Sequence, residues 1–508
     1  LERWGIRTIC INEDTPNDKE LWKVSASSVA LYSLSDNMQN ISNGYYQHLI
    51  VQPEQLKSHK GHLPQLARLL NVPQFSKTVA RVHVDEAHNI YTAGRPHYGL
   101  PAFRPSWGVL NELRIRLPKG TPIQVLSATY PPHIKSAHAY HRKNYLSLKL
   151  SSNRPNIIYA MHRIVGSLSN FRNLDFLIST PFMKLLKVVV FHDDTQQCAD
   201  TAIYQDKLLP AELRYKGLVQ HYHGGMSKEY LKQIFDDFSQ ENGVCRILHG
   251  TEGLSTGLDV GHIDAVIDSG IPRAQSTAIQ RGGRAGRRGQ MSVYLIMAEP
   301  WAFTASIDTA DPDSADPDRP ISGQLVKISR KPAHTGLAMI VYVRTALCLR
   351  ENIARYLADK SRDGMFKNMQ HQPLLTIISA LQISTEWFCD RPHPENPRLT
   401  FDKRTFFPST FIYEESDGAI YAGDTDEPDR VHLNPLKTRK RKAKGPPNRK
   451  VVDCPDLQVH LRNWLRSVHA ADALRAVRPA SFILDEKGIE VLSARSYVFH
   501  IPGRLGAH

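Results

Sequence analysis

The chain has 508 residues, of which 41% are hydrophobic and 22% charged, with a formal net charge of +14 at pH 7. Its length allows about three domains, each able to bury a core. No apolar run reaches the ~20 residues that a membrane span needs, and six cysteines at 10, 198, 245, 348, 389 and 454 form no regular framework, which excludes a disulfide-stapled secreted module.

The first 300 residues alternate short β-branched runs with longer helical patterns, as parallel α/β sheets do. Strands are predicted at Arg7–Ile11, His48–Gln52, Val79–Val84 and Ile123–Ser127. After a break near residue 150 they resume at Lys187–Phe191, Leu218–Tyr222, Arg246–Leu248, Ala265–Asp268 and Ser292–Met297, so two separate sheets are expected. Asp308–Asp318 (DTADPDSADPD) is acidic and reads as an exposed loop. One long helix is predicted over Leu337–Leu357, then a Pro-rich region over Arg391–Pro408, a turn-rich hairpin over Gly418–Asp429 and an amphipathic helix over Leu457–Leu474. The basicity is concentrated in Lys437–Lys450 (KTRKRKAKGPPNRK), where eight basic residues and no acidic ones leave only +6 for the rest of the chain. That run reads as a nuclear-address or phosphate-binding tract, or as a solvated linker.

Asp85, Glu86, Ala87 and His88 directly follow the apolar run to Val84, so two adjacent carboxylates sit where a strand ends. Such a pair can hold a magnesium ion through water and orient the water that attacks a γ-phosphate. Ser127, Ala128 and Thr129 end a later apolar strand and can relay hydrogen bonds. Thr251–Asp259 (TEGLSTGLD) follows another, and offers hydroxyl and backbone donors to a nucleic-acid backbone, or forms a plain Gly-rich turn. The run Gln280–Gly289 (QRGGRAGRRG) combines tight-turning glycines with guanidinium forks suited to phosphate oxygens. Arg284 and Arg287 would share a face if they lay on one helical turn.

In this order the motifs resemble the superfamily-two helicases. Asn153–Ile157 (NRPNI), Phe103-Arg104-Pro105 and Val51–Leu56 (VQPEQL) are similar to segments of the RecQ family, closely over about residues 1–300 and more loosely to about 415. The fold implied is α/β: two RecA-like motor domains, the first incomplete, followed by a smaller helical RecQ-type C-terminal region. The implied boundaries are 1–150 and 151–300 for the motor domains, 301–335 for an acidic linker, 336–415 for a degenerate zinc-binding-like subdomain, 416–450 for a linker and 451–508 for a small helical segment.

The activity implied is ATP-dependent 3′–5′ DNA unwinding in repair and recombination, in the nucleus, on single-stranded and duplex or junction DNA. By motif position Asp85 would bind Mg2+, Glu86 would activate water, and His88 would link the site to the second domain. Arg284 and Arg287 would sense the γ-phosphate, and Gln280, Gly257 and Asp259 would join Asp85 at the ATP. Tyr91, Tyr98, Phe103, Arg104 and Trp107, with Thr251 and Ser255, would meet the nucleic acid, aromatic faces stacking on bases. Ordinary core packing is the competing reading for the aromatic residues.

The chain departs from that pattern in three places. It reads Gly94–Ala102 (GRPHYGLPA) where RecQ proteins carry a Trp-Gly-His-Asp run. Cys348, Cys389 and His393 offer three ligands where a structural zinc site needs four. No Gly-Lys dipeptide occurs anywhere, so the phosphate-cradling loop is missing from these residues. Since Leu1 is not an ordinary start, a piece of a longer helicase, inactive alone, is expected. The alternatives are a DEAH-type RNA helicase and a nucleic-acid-binding remnant without ATPase activity.

Overall fold

The computed structural model describes residues 2–15, 19–22, 41–58, 61–136, 145–178, 185–257, 259–307, 316–360, 389–391 and 454–471, with single positions between 480 and 493. The hairpin expected at 418–429, the basic run 437–450, almost all of the Pro-rich region and His393 lie outside these residues.

In the first lobe, β1 (Thr8–Ile11) pairs in parallel with β2 (His48–Val51), and β3 (Val82–Val84) pairs in parallel with β4 (Ile123–Val125). One sheet is predicted here; among the described residues the two pairs are separate. Strands of three or four residues make short ladders, and what joins the pairs is a shared core. Ile11 and Val84 bury in one cluster with Leu66, Leu69, Leu70, Phe75, Ile90 and Leu113.

The second lobe is a six-stranded sheet built from β5 (Ile157–Arg163), β6 (Val188–Phe191), β7 (Val219–Tyr222), β8 (Ile247–Gly250), β9 (Ala265–Ser269) and β10 (Ser292–Ala298), in the order β5-β10-β9-β6-β8-β7. Every pairing is parallel. All residues of β6, β8, β9 and β10 are buried, as expected of a parallel sheet covered on both faces. Alternate residues feed different cores: Val189, Phe191, Val266 and Ile296 one side, Val188, Val190, Ile267 and Leu295 the other. The sequence does not announce β5, whose Ala, Met and His are weak strand formers; pairing with β10 over seven residues decides it.

Helices start where their caps stand. Asp194 accepts from Gln197 N at 2.9 Å to begin Thr195–Leu208, and Ser227 accepts from Tyr230 N at 3.2 Å to begin Lys228–Ser239. The second of these buries Tyr230, Ile234 and Phe238, four residues apart, against the sheet.

Two expectations change beyond the sheet. The helix predicted over Leu337–Leu357 is two helices, Leu337–Arg344 and Leu349–Tyr356, with extended backbone at Thr345 and Cys348 between them. The break turns Arg350 under the start of β5, where its guanidinium donates to Asn153 Oδ1 at 3.0 Å and Pro155 O at 3.2 Å. The acidic stretch is not an exposed loop throughout: the side chains of Asp316 and Asp318 are only 13% and 14% exposed, because tyrosines of the first lobe and of the helix Leu349–Tyr356 close over them. Near the C-terminus, the helix Cys454–Ala471 buries Leu457, Leu461 and Leu465, while Trp464 stays half exposed. Among the described residues, no helix is long and apolar enough to cross a membrane.

Candidate nucleotide and nucleic-acid site

Asp85 and Glu86 stand at the carboxyl end of β3, the edge where open parallel sheets place their ligands. Backbone bonds from Leu126 N to Val84 O and from Ala87 N to Leu126 O, both 2.8 Å, carry the pairing with β4 past both strand ends and fix the turn. Glu86 has a φ of 46°, a left-handed conformation that a non-glycine residue adopts only where its surroundings enforce it. Its backbone N–H donates to Asp85 Oδ1 at 2.9 Å. Burial, then the charge of Asp85, raises the Glu86 carboxyl above its ordinary pKa, and the Arg284 guanidinium pulls it back. A carboxyl raised in this way is a better proton acceptor than a surface glutamate.

His88 is buried, and burial pushes its imidazole down to about 4, so it is neutral at pH 7. Its Nδ1 lies 3.0 Å from Ser127 Oγ, and its Nε2 lies 3.1 Å from Gln280 Nε2. Gln280 Nε2 also donates to Glu86 Oε2 at 3.3 Å. One assignment of hydrogens satisfies the whole chain. The Gln280 amide donates to Glu86 and to His88 Nε2, the His88 Nδ1–H donates to Ser127 Oγ, and Ser127 donates to Thr129 O at 3.0 Å. The DEAH residues, the S-A-T segment and the glycine-arginine run are thereby one hydrogen-bonded relay between the lobes.

The arginines of that run have different tasks. Arg281 is buried and pairs with Asp268 at 2.6 Å, Glu252 at 2.5 Å and Asp193 at 3.5 Å. Burial opposes its charge, but the three carboxylates more than offset this and raise its pKa. Arg284 and Arg287 lie beyond the helix Gln275–Gly282, in consecutive turns rather than on one helical turn. Arg284 is half-buried; burial and the neighbouring Arg287 lower its pKa, while Glu86 and Asp259 favour its charge. Arg287 pairs with the exposed Asp259.

The NRPNI segment holds this run in place. Asn156 Nδ2 donates to Gly286 O at 2.7 Å and to Gln290 O at 2.9 Å, and Arg154 reaches Ala285 O and Gly286 O at 3.3 Å. Gly286 has a φ of +59°, and a Cβ there would lie 2.3 Å from Asn156 Nδ2. The segment at 251–259 is largely the helix Glu252–Gly257 rather than a loop. Thr251 precedes that helix, its N–H donating to Tyr222 O at 3.3 Å, and the side chains of Ser255 to Leu258 lie outside the described residues.

The remaining aromatic and basic residues follow the DEAH box. Arg104 makes a two-pronged contact with Glu54 of the VQPEQL segment, at 3.0 and 2.7 Å, and Ser106 Oγ donates to the same carboxylate at 2.7 Å. Trp107 packs on the first-lobe core, whereas Phe103 is 85% exposed. The divergent GRPHYGLPA stretch forms a tight hairpin: His97 and Leu100 exchange both backbone bonds, and Tyr98 and Gly99 take φ of 51° and 89° between them, as a type I′ turn requires. The hydroxyls of Tyr91 and Tyr98 both donate to Asp316. Cys348 and Cys389 are buried with their sulfurs 3.6 Å apart. Arg281, Glu252, His133, Asp316 and Asp318 were not legible as partners, because their contacts are set by packing of separate elements and not by any local spacing; no sequence signal marked them.

Residues 174–289 match the helicase conserved C-terminal domain. The chain is 30% identical over 246 residues to the ATP-dependent DNA helicase hus2/rqh1 of Schizosaccharomyces pombe, covering 48% of this chain and 17% of that protein. It is 26% identical over 190 residues to the ATP-dependent RNA helicase me31b of Drosophila melanogaster, covering 37% and 39%. The chain thus spans well under half the length of these curated relatives. Among solved structures it is similar to S. cerevisiae Dbp5 bound to RNA and ADP BeF3, with TM-score 0.38, 18% identity and coverage of 58% of this chain and 64% of that one. It is also similar to the DUF1998 helicase MrfA bound to DNA, with TM-score 0.42, 17% identity and coverage of 59% and 37%. The fold is α/β with parallel sheets, and the curated relatives include both DNA and RNA helicases.

Proposed function

We propose that these residues are the motor of an ATP-dependent, 3′–5′ translocating DNA helicase of RecQ type, acting in the nucleus on duplex or junction DNA. The observation that carries the reading is the contact of Gln280 with both Glu86 and His88, which ties the water-activating carboxylate of one lobe to the arginine run of the other. A motor that couples hydrolysis to movement needs such a tie, because closure of the two lobes must complete the site.

Asp85 fits a magnesium ion held through water. It is exposed at a strand end and offers hard carboxylate oxygen, and Mg2+ characteristically takes one or two carboxylates while substrate phosphates supply the rest. Bound ATP with Mg2+ supplies the phosphoryl group and neutralises its charge. Glu86 Oε2 receives the proton of the attacking water, and the Gln280 amide holds that oxygen in place. The neutral His88 passes the position of Gln280 to Ser127. Arg284 lies near enough to Glu86 to interact with its charge, and Arg287 stands beside Arg284; both would meet charge developing on the transferred phosphoryl.

The DNA reading is supported by the work that two RecQ-like segments do: NRPNI buttresses the Gly286 turn, and the arginine of F-R-P pairs with Glu54. The test is ATP hydrolysis by the protein translated from the complete gene. Hydrolysis stimulated by single-stranded DNA, and lost with nucleotide binding retained in Glu86→Gln, is expected. Stimulation by RNA alone would remove the DNA assignment, and hydrolysis retained in Glu86→Gln would remove the role given to that carboxylate.

A further inference from the structure

Apart from the Asp85–Glu86 site, a second constellation joins distant parts of the chain. His133 lies in the helix Pro132–Ser136, just beyond the S-A-T segment, while Asp316 and Asp318 lie on the stretch that follows the second sheet. His133 Nε2 is 3.4 Å from Asp316 Oδ1 and 3.5 Å from Asp318 Oδ2, and one donor atom from each of the three residues lies within 4.8 Å of the others. The His133 side chain is only 4% exposed, and neither ring nitrogen has a hydrogen-bond partner among the described residues. Buried imidazoles are ordinarily hydrogen-bonded, so one that is not, and that faces two carboxylates, calls for a ligand.

The surroundings hold these carboxylates still. The Tyr91 hydroxyl donates to Asp316 Oδ2 at 2.8 Å, and Tyr98 donates to the same oxygen. The backbone N–H of Asp318 donates to Asp316 Oδ1 at 2.9 Å. The Tyr356 hydroxyl donates to Asp318 Oδ2, and Gln275 N approaches Asp318 Oδ1 at 3.4 Å. Rings of Tyr91 and Tyr356 flank the imidazole edge-on, with centroids 6.0 and 6.1 Å away. Hydrogen bonds that fix the orientation of ligating side chains in this way are a regular part of metal sites.

We propose that His133, Asp316 and Asp318 bind a divalent first-row cation, Zn2+ foremost, with water completing a tetrahedron. Bonds of about 2.1 Å put tetrahedral ligand atoms about 3.4 Å apart, the spacing found between His133 and each aspartate. Two carboxylates balance the charge of one such ion, and the imidazole selects zinc and its neighbours over magnesium or calcium. The ion ties the first lobe to the strap after the second sheet, and through Tyr91 and Tyr98 to the hairpin that follows the DEAH box. This site shares no residue with the Asp85–Glu86 site and does not depend on the helicase reading.

The test strips the 508-residue chain with a chelator, dialyses it and titrates it with Co2+ and then Zn2+. The expected result is one equivalent of Co2+ with visible tetrahedral d–d bands, no thiolate charge-transfer band, and displacement by Zn2+. His133→Gln and Asp318→Asn should each weaken binding by at least 10–100-fold, and Tyr356→Phe by about tenfold. Cys348→Ser should leave the spectrum unchanged, which separates this site from the Cys348–Cys389 pair. Circular dichroism checks the fold of each variant, and the near-isosteric Asp318→Asn carries the test if His133→Gln unfolds. Absence of Co2+ binding at micromolar concentration, equal binding in all variants, or a thiolate band lost only in Cys348→Ser would overturn the proposal.

Discussion

The side-chain amide of Gln280 lies 3.1 Å from Nε2 of His88, although 192 residues separate them. The same nitrogen is 3.3 Å from Glu86 Oε2, so one amide reads the position of two DEAH residues at once. Any opening of the lobes must break both bonds together, which makes Gln280 a positioning residue for the Glu86 carboxylate.

Gln280→Glu removes the amide hydrogens and places a second acid beside Glu86. The Glu86 carboxyl, already raised by burial and by Asp85, should rise further, so that less of it is ionised at a given pH. ATP hydrolysis by the complete gene product should fall at least about tenfold at pH 7, with partial recovery at higher pH. A rate and pH profile equal to the parent would contradict the role of Gln280.

Neighbouring arginines should part company on mutation. Arg281→Met leaves Asp268 buried without its partner, so urea denaturation should show a loss of roughly 3–5 kcal/mol. Arg284→Ala removes a half-buried side chain facing Glu86 and should change stability by much less. It should lower DNA-stimulated ATP hydrolysis by about a thousandfold. Equal stability losses in both variants would refute this division of labour.

Acid should destabilise both lobes through their buried imidazoles. Burial pushes His88 down to about 4 and His192 down to about 3, and holds His249 well below its ordinary value. A histidine depressed in the folded state binds its proton more readily when unfolded, so its stabilisation is full above pH ~6.5 and is lost as the pH falls toward the folded value. His88 alone should contribute a loss of about 2 kcal/mol by pH 5. Thermal melts between pH 7 and 5 measure this, and a His88→Asn variant should show a shallower slope than the parent.

The Gly286 turn should tolerate no side chain. Gly286→Ala must adopt a φ near +59° and push a Cβ into Asn156 Nδ2, and a loss of about 1–3 kcal/mol is expected. Asn156→Ala withdraws two buried hydrogen bonds and should have a similar effect. The double variant should lose less than the sum, because the alanine at 156 removes the nearest of the atoms that the Cβ meets, although Gln290 O at 2.8 Å remains. Additive losses in a double-mutant cycle would show that the two residues do not meet as described.

The Arg104–Glu54 pair should matter for coupling more than for stability. Both side chains are more than two-fifths exposed, so breaking the pair in Arg104→Lys should change stability by no more than about 1 kcal/mol. The planar fork that holds the F-R-P turn onto the VQPEQL segment is lost with that change. Single-stranded DNA should then stimulate hydrolysis less while the unstimulated rate stays the same; an unchanged stimulation ratio would count against it.

The sequence by itself determined the parallel α/β character and nearly every strand of both lobes, because fully buried β-branched runs such as Val188–Phe191 have a local signal that survives any packing. It also singled out Asp85, Glu86 and His88 as candidates by their place at a strand end, and Gln280 and Arg284 by the glycine-arginine run that holds them. Tertiary structure alone decided what those residues touch: the relay from Gln280 to Ser127, the buttress of Asn156 under Gly286, the burial of Arg281 among three carboxylates and the meeting of His133 with Asp316 and Asp318. It also split the long helix at Thr345–Cys348 and set two strand pairs where one sheet is predicted. The physical reason is the same in each case. Local propensity and periodicity act over a few residues, whereas a hydrogen bond or ion pair between residues 13 to 192 positions apart depends on where packing brings the chain back upon itself.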